Sequence, residues 1–235
     1  MTKIIRSQER FFADHGWLKT YHSFSFNHYY DPANVHFGTL RVVNDDVIEP
    51  GEGFGLHPHR DMEILTYVLS GALKHQDSMG NEGILQAGEV QTMTAGSGVY
   101  HAEFNASDVK PVHLLQIWFM TQEKNLTPAW QQRTFAPAQK RNQWVTMVSG
   151  DVTDTKTLHL HQDLCVSAGY FDASLSITKQ FEHPLAYLFL IEGRIEWRGE
   201  QLQAGDTVRI DDVREIQFET VEDAHVLLMT FTDQL

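Results

Sequence analysis

The amino-acid sequence predicts an all-β protein of two barrel or jelly-roll domains. Helical periodicity is scarce, and short apolar or alternating segments are separated by turn clusters of Gly, Asp, Asn and Ser. Strands separated by turns at intervals of about 8–12 residues are typical of sandwiches and barrels. The two halves also share one order of signals, because "YVLSGALKH" precedes "LQAGEVQTM" and "FLIEGRIEW" precedes "LQAGDTVRI". This weak repeat favours an internal duplication, with one barrel in each half.

The first half carries clear strand and turn signals in sequence order. "YHSFSFNHYY" alternates, "EILTYVLSG" runs into a glycine turn, and "ALKHQ" is the expected return strand. The Asp, Ser, Gly and Asn residues of "DSMGNEG" then favour another turn, and "HLLQIWFM" has the continuous apolar character of a buried strand. These segments predict a first domain over residues 1–122.

A polar segment separates this domain from the next. Residues 123–142 carry two prolines and lack period-2 alternation, which predicts a linker with a short helix. The β signals then resume over residues 143–235, in "WVTMVSG", "LHLHQDLCV", "LAYLFLIEGRIEW", "QLQAGDTVRI" and "HVLLMTFTD". The sequence therefore predicts a second barrel in this range.

Composition and charge exclude several classes of function. The net charge is −13 and the 18 Lys and Arg residues are scattered, which argues against direct nucleic-acid binding. No apolar run reaches the length of a membrane span, and the N-terminus has charges where a signal peptide needs its apolar core. The one cysteine, Cys165, excludes an intramolecular disulfide framework. We therefore expect a cytoplasmic protein that does not contact membranes.

Two His-rich pairs in the first half have the spacing of a metal site. His57 and His59 are separated by one residue in "GFGLHPHRDMEI", and in a strand such a pair projects to one side. His101 and Glu103 repeat this spacing after a Gly-rich turn, in "TAGSGVYHAEFN". Two such pairs on facing strands could supply three imidazoles and one carboxylate. Glu63 is separated from His57 and His59 by an even number of positions, so in a continuous strand it would project to the same side. Strand geometry therefore also permits Glu63 as a ligand.

The remaining histidines are predicted to be structural. A second His-x-His, formed by His159 and His161, has no acid-bearing strand after it. His75 and the other single histidines are interpreted as hydrogen-bonded surface or core residues. Histidine chemistry is thus expected in the first half of the chain.

The order of these residues resembles the two cupin motifs, with departures. Gly71 falls one residue late, Thr94 stands where the motif has proline, and two extra residues separate Gly96 from His101. Pirins show the same departures, and the chain resembles the pirin family across most of its first half. The similar segments are "YHSFSFNHYYDP", "FGTLRVVNDD", "GFGLHPHRDMEILTYVLSG", "HQDSMGNEG", "EVQTMTAGSGVYHAEFN" and "LLQIW".

The pirin resemblance implies a bicupin with one metal ion, held in the N-terminal barrel. It assigns the ligand positions to His57, His59, His101 and Glu103. Glu63 is then expected to hydrogen-bond to a ligand residue without contacting the metal ion. The corresponding part of the second half offers only adjacent acid and imidazole side chains, in "FEHP", which face opposite sides of a strand. A C-terminal barrel without metal is therefore expected.

The expected cofactor is one divalent metal ion. Three imidazoles and a carboxylate suit Fe(II) as the default, and Cu, Ni, Mn, Co or Zn could replace it in preparations. Four protein ligands on an octahedral ion leave two positions open, as an oxygenase requires.

Two functions are compatible with this site. The resemblance implies a dioxygenase of the quercetin 2,3-dioxygenase type, which opens the flavonol ring and releases CO. Glu103 would act as general base, and Phe54, Tyr67 and Met93 are candidates for an apolar pocket around the planar substrate. The alternative is a non-catalytic, metal- or redox-responsive regulatory protein that binds another protein.

Overall fold

A computed structural model describes residues 2–233 of the chain, which fold almost entirely as β-strands. The strands are β1 (Lys3–Ile5), β2 (Phe11–Asp14), β3 (Leu18–His22), β4 (Leu40–Ile48), β5 (Gly53–His59), β6 (Met62–Ser70), β7 (Ala72–Asp77), β8 (Glu82–Gln86), β9 (Glu89–Thr94), β10 (Val99–Asn105), β11 (Val112–Met120), β12 (Ala129–Thr134), β13 (Val145–Ser149), β14 (Leu158–His159), β15 (Leu164–Phe171), β16 (Ser176–Gln180), β17 (Leu185–Glu192), β18 (Arg194–Trp197), β19 (Glu200–Gln203), β20 (Thr207–Asp211), β21 (Glu215–Thr220) and β22 (Ala224–Phe231). Two single-turn 3₁₀ helices cover Ser7–Glu9 and Pro137–Lys140. The predicted all-β class is confirmed.

The chain divides into two compact units. The N-terminal unit comprises residues 11–135 and 158–162, and the C-terminal unit comprises residues 2–10, 136–157 and 163–233. No helix among residues 2–233 has the length and apolar character needed to cross a membrane.

Each unit pairs its strands antiparallel in two sheets, and the strand orders of the two units match. The N-terminal unit has the orders β12-β9-β6-β11-β4-β3-β2 and β5-β10-β7-β8. In the C-terminal unit the corresponding orders are β1-β20-β17-β22-β15-β13 and β16-β21-β18-β19. Every strand of one smaller sheet therefore has a counterpart in the other, and the repeated "LQAG" lies in each unit at the turn before the counterparts β9 and β20. The matched topology confirms the internal repeat.

The unit boundaries differ from the predicted ranges 1–122, 123–142 and 143–235. Ala129–Thr134 is not linker but the edge strand β12, which pairs with β9 in the N-terminal unit. Its sequence, "AWQQRT", is polar because the strand is mostly exposed or half-buried, so hydrophobic alternation does not mark it. The expected short helix is the 3₁₀ turn at Pro137–Lys140. Residues 2–10 join the C-terminal unit because β1 pairs with β20.

Strand β10 shows how the sequence positions the site. Its burial alternates, so His101, Glu103 and Asn105 point inward while Tyr100 and Phe104 face outward. This is the period-2 pattern of a strand with one covered face. The pairing of β10 with β5 shifts register between His101 and Glu103, which is the signature of a β-bulge. Such bulges redirect side chains and are frequent beside active sites.

Candidate metal centre

Three histidines converge between β5 and β10 in the N-terminal unit. His57 and His59 extend from β5, and His101 lies directly opposite His57 in the register of β10. The ring centroids are 4.8 Å apart for His57 and His59, 4.4 Å for His57 and His101, and 4.8 Å for His59 and His101. One nitrogen from each ring lies within 4.8 Å of the others, a spacing that could hold a metal ion.

The ring nitrogens of this cluster fit the needs of a metal ion. His57 Nδ1 lies 2.7 Å from the Gly55 carbonyl oxygen. A carbonyl only accepts, so Nδ1 carries the proton and Nε2 is left for a ligand bond. His59 Nε2 and both His101 nitrogens are buried and have no hydrogen-bond partner among the described residues. Buried polar atoms are normally paired, and a bound cation would satisfy these nitrogens.

Burial also favours the protonation state that ligation requires. The pKa of His59 and the pKa of His101 are each lowered to about 3, mainly because burial disfavours the charged imidazolium. The neighbouring His57 contributes to the lowering of both pKa values. Neutral imidazole is the form that coordinates a metal.

Glu103 is buried next to this cluster in a hydrogen-bond network. Its Oε1 accepts from Gln91 Nε2 at 2.7 Å, and its Oε2 accepts from Gln116 Nε2 at 2.5 Å. Trp130 Nε1 donates to Gln91 Oε1 at 2.9 Å, and an indole can only donate, so the Gln91 amide must present its Nε2 to Glu103. The carboxylate is therefore held in one orientation.

The structure groups Glu103 with His101 rather than with the β5 pair. Glu103, His101 and His75 have ligand atoms within 4.8 Å of one another, in a second triad that shares His101 with the first. The four predicted ligand positions therefore form two overlapping groups, with His101 in both.

His75 is a buried, hydrogen-bonded core residue, as the sequence predicted, and it lies beside the cluster. It lies on β7 directly opposite Glu103 in the register of β10 and is fully buried. Its ring stacks on Trp130 with centroids 5.2 Å apart, and its Nε2 lies 3.3 Å from Asp77 Oδ2. The alternation of "ALKHQD" places His75 inward with Leu73, but only the strand register brings it to Glu103.

The prediction that Glu63 supports the ligands is wrong. Glu63 lies on β6, where it accepts a hydrogen bond from Thr94 Oγ1 at 2.8 Å and another from the His161 amide at 2.9 Å. Burial raises the pKa of its carboxyl group. The even spacing from His57 and His59 did not place Glu63 on their side, because β5 ends at His59 and the chain turns through Asp61 at a φ of 48° before β6 begins. Alternation is maintained within a strand but not across a turn.

The second His-x-His lies in the N-terminal unit, where its backbone makes structural contacts. The His161 amide donates to Glu63, and the His159 amide donates to Gln131 Oε1 at 3.3 Å. Among the described residues neither imidazole belongs to a group of three potential ligands.

The histidine cluster opens into a cavity of about 700 Å³. Its lining side chains include Trp17, Phe26, Phe54, Ile64 and Trp118 beside the histidines and Glu103. Aromatic surface predominates, which suits a planar ligand. Phe54 lines the cavity as predicted, whereas Tyr67 and Met93 are buried in the core and do not line it.

The corresponding strands of the C-terminal unit carry different side chains. There β16 pairs with β21, and Ile177 lies opposite Phe218 while Lys179 lies opposite Ile216. Ile216 and Phe218 belong to a buried apolar cluster against which Ile177 packs. The interior that holds imidazoles in one unit is therefore filled with hydrocarbon in the other.

Comparison with known proteins identifies the family. Residues 5–119 match the family described as Pirin, and residues 146–231 match the Quercetinase C-terminal cupin domain. The chain is 41% identical over 233 residues to a quercetin 2,3-dioxygenase of Escherichia coli K12, covering 97% of each protein. The chain belongs to the pirin family. Another similar pirin-family sequence, a pirin-like protein of Caulobacter vibrioides, is 41% identical over 218 residues and covers 92% of this chain and 94% of its own.

Solved pirin structures share this fold. A bacterial pirin from Escherichia coli, determined in complex with nickel(II), superimposes with a TM-score of 0.92 at 40% identity, covering 98% of this chain and 99% of its own. A quercetin 2,3-dioxygenase from Acinetobacter baumannii has a TM-score of 0.76 at 22% identity, covering 92% of this chain and 81% of its own, and that similarity concerns the fold alone. The bicupin architecture predicted from the sequence is confirmed.

Proposed function

We propose that this pirin is a metal-dependent dioxygenase of the quercetin 2,3-dioxygenase type, which opens the flavonol heterocycle and releases CO. The observation that carries this proposal is the cluster of His57, His59 and His101 beside an aromatic cavity. Buried nitrogens of His59 and His101 have no hydrogen-bond partner among the described residues. Relatives that align over nearly the whole chain are named quercetin 2,3-dioxygenase, which supports this activity.

One divalent ion would be held by His57, His59 and His101, with Glu103 completing the set. Nickel occupies the similar pirin from Escherichia coli, and the imidazole-rich donor set equally suits Fe(II), which we propose as the native ion. When bound, the ion supplies Lewis-acid activation of the flavonol 3-hydroxyl and the redox chemistry that dioxygen requires.

The protein side chains would bind, orient and deprotonate the substrate. Trp17, Phe26, Phe54 and Trp118 would enclose the flat ring system and exclude water. Glu103 would accept the 3-hydroxyl proton on a carboxylate oxygen, because Gln91 and Gln116 hold that group in one orientation. Ring opening consumes one O₂, and the carbon that bore the 3-hydroxyl leaves as CO.

The lone cysteine is consistent with a cytoplasmic location, which we also propose. The cavity can hold a small-molecule substrate without the help of a protein partner. The alternative function, a regulatory protein that binds another protein, is the competing outcome of the experiment below.

The test compares the two His-x-His pairs. Protein loaded with Fe(II) or Ni(II) is supplied with quercetin, and flavonol absorbance, O₂ uptake and CO are followed together. His59→Ala should lose metal affinity and turnover by more than about 100-fold. Removal of a metal ligand is expected to weaken binding more than replacement of a residue that only hydrogen-bonds to a ligand. His159→Ala, the matched control, should keep both. Absence of turnover at full metal occupancy would favour the regulatory alternative.

A further inference from the structure

Two of the polar side chains that line the cavity outside the metal cluster lie close together in one strand. Asn44 and Asp46 lie on β4, two residues apart, so both project to one face of that strand. Both line the cavity that contains the three clustered histidines and Glu103. Both residues belong to the segment "FGTLRVVNDD", which is part of the pirin resemblance. Neither residue takes part in the metal binding or proton transfer proposed above.

Each of these side chains offers an unused hydrogen-bond acceptor. Asn44 is 4% exposed and Asp46 is 2% exposed. The Oδ1 atom of each is buried and accepts no hydrogen bond from the described residues. An unpaired buried acceptor costs about 1–3 kcal/mol, and a ligand that donates a hydrogen bond to these atoms would remove that cost.

The neighbours of Asp46 leave it available. Thr20 lies beside the carboxyl group, but Thr20 Oγ1 and Asp46 Oδ1 do not meet hydrogen-bond geometry. Burial raises the pKa of Asp46 to about 7, with a smaller contribution in the same direction from the nearby acids Asp45 and Glu103. A carboxyl group in this environment can accept a hydrogen bond when ionised and donate one when protonated.

The charge of the cavity limits the class of ligand. Among the described residues that line it, the charged types are the carboxyls Asp46 and Glu103, with no Lys or Arg. A substrate carboxylate or phosphate would find no cationic partner away from the metal centre. Neutral hydroxyl groups on an aromatic ring would meet both acceptors and aromatic walls.

We infer that Asn44 and Asp46 are specificity-determining residues that bind phenolic hydroxyl groups on the rings of the substrate. This inference rests on the proposed function and assigns recognition of the additional ring hydroxyls of the substrate to two residues of β4. The 3-hydroxyl would face the histidines, and a hydroxyl elsewhere on the ring system would donate to the β4 pair. Sites built around such hydrogen bonds reject analogues that lack the donor, because the buried acceptors are then left unpaired.

The test measures binding separately from turnover. Dissociation constants for quercetin and for 3-hydroxyflavone, which lacks the additional hydroxyls, are determined under argon on Ni(II)-loaded protein. Quenching of tryptophan fluorescence is a direct signal, since Trp17 and Trp118 line the cavity. The variants are Asp46→Leu and Asn44→Leu, and metal content is measured on every sample.

The native protein should bind quercetin about 10–100-fold more tightly than 3-hydroxyflavone, as expected for one or two hydrogen bonds to buried or charged acceptors. In each variant this preference should fall severalfold or more, with 3-hydroxyflavone affinity and metal content maintained. Asp163→Asn is the matched control, because Asp163 bonds His183 at 3.0 Å in the C-terminal unit and is not a cavity residue, and it should keep the native preference.

The outcomes separate this inference from the proposed activity. Turnover of quercetin without any binding preference, or a preference that survives in both variants, would overturn the inference and leave the dioxygenase proposal intact. A preference that depends on Asp46 without turnover would support the inference and overturn the dioxygenase proposal. Failure of both flavonols to bind metal-loaded protein would overturn the inference as well.

Discussion

The two units of this pirin have the same strand order and opposite interiors. In the N-terminal unit the paired strands β5 and β10 present His57, His59, His101 and Glu103 inward. Their counterparts β16 and β21 present Ile177, Lys179, Ile216 and Phe218 at the facing positions. One topology therefore supports either a polar site or an apolar core, and the side chains of two strands decide which. Function is determined by the site and not by the fold.

The two interiors also differ in their expected energetics. The C-terminal core buries a large apolar cluster that includes Leu188, Leu190, Val226 and Leu228. The N-terminal interior instead contains imidazoles, amides and carboxyls, some with unpaired atoms, and such groups are costly to bury. We expect the C-terminal unit to derive its stability from packing and the N-terminal unit to gain stability when a ligand satisfies its polar groups.

The largest expected effect separates two buried glutamates. Glu103→Gln should reduce turnover by more than about 100-fold, because the proposed metal ligand and general base is lost. Glu63→Gln should reduce it by less than about tenfold, because Glu63 bonds Thr94 and the His161 amide and not the histidine cluster. Steady-state kinetics at measured metal content checks this. A large loss in Glu63→Gln alone would restore the assignment that the even spacing permitted.

The next effect tests whether packing stabilises the C-terminal unit. Leu228→Ala, at a fully buried position of that core, should lower the free energy of unfolding by about 2–5 kcal/mol. Turnover per folded molecule at 25 °C should remain native, since Leu228 does not line the cavity. Urea unfolding and kinetics on the same samples give both quantities. A loss of metal or of turnover in the folded variant would contradict the separation of roles.

A smaller effect on stability is expected from a buried histidine of the C-terminal unit, for which no metal binding is proposed. His225 stacks on Tyr170 with centroids 3.8 Å apart, and burial lowers its pKa to about 3. Between pH 6.5 and about 3 the unfolded chain binds a proton here that the folded protein does not. Stability should therefore fall with falling pH, by up to about 1.4 kcal/mol per pH unit for this single proton.

The His225→Phe variant should show a shallower loss of stability over that range. Urea unfolding of both proteins at pH 7, 5.5 and 4.5 measures the difference in slope. Parallel slopes would show that His225 already titrates normally in the folded protein.

The last prediction is that neither unit shows measurable binding to duplex DNA, because the net charge is −13 and basic residues are scattered. Titration of random-sequence DNA at physiological salt should give no saturable signal. Saturation at submicromolar protein would contradict this.

Sequence spacing predicted the histidine cluster because strand alternation is a local rule. His57 and His59 share a face within β5, and His101 shares a face with Glu103 within β10. The same rule failed for Glu63, since the turn at Asp61 resets the alternation. Local pattern is thus informative inside each strand and uninformative across its ends.

Other features depend on pairings that no local pattern records. His75 reaches Glu103 through the register of β7 with β10, and Asn44 and Asp46 join the cavity through the position of β4 beside β11. Strand β12 was missed because its polar residues lie at an exposed edge. Register and edge position are set by the folded sheet, so they could not be deduced from one sequence.

The metal stoichiometry of each unit tests the central claim most directly. Elemental analysis after loading with excess Ni(II) and desalting should give about one equivalent per chain, because the described residues place the imidazole cluster in the N-terminal unit. Combined replacement of His57, His59 and His101 by Ala should reduce this to near zero while circular dichroism retains the β signature. Two tightly bound equivalents, or one that survives the triple replacement, would contradict the assignment of the metal to the N-terminal unit.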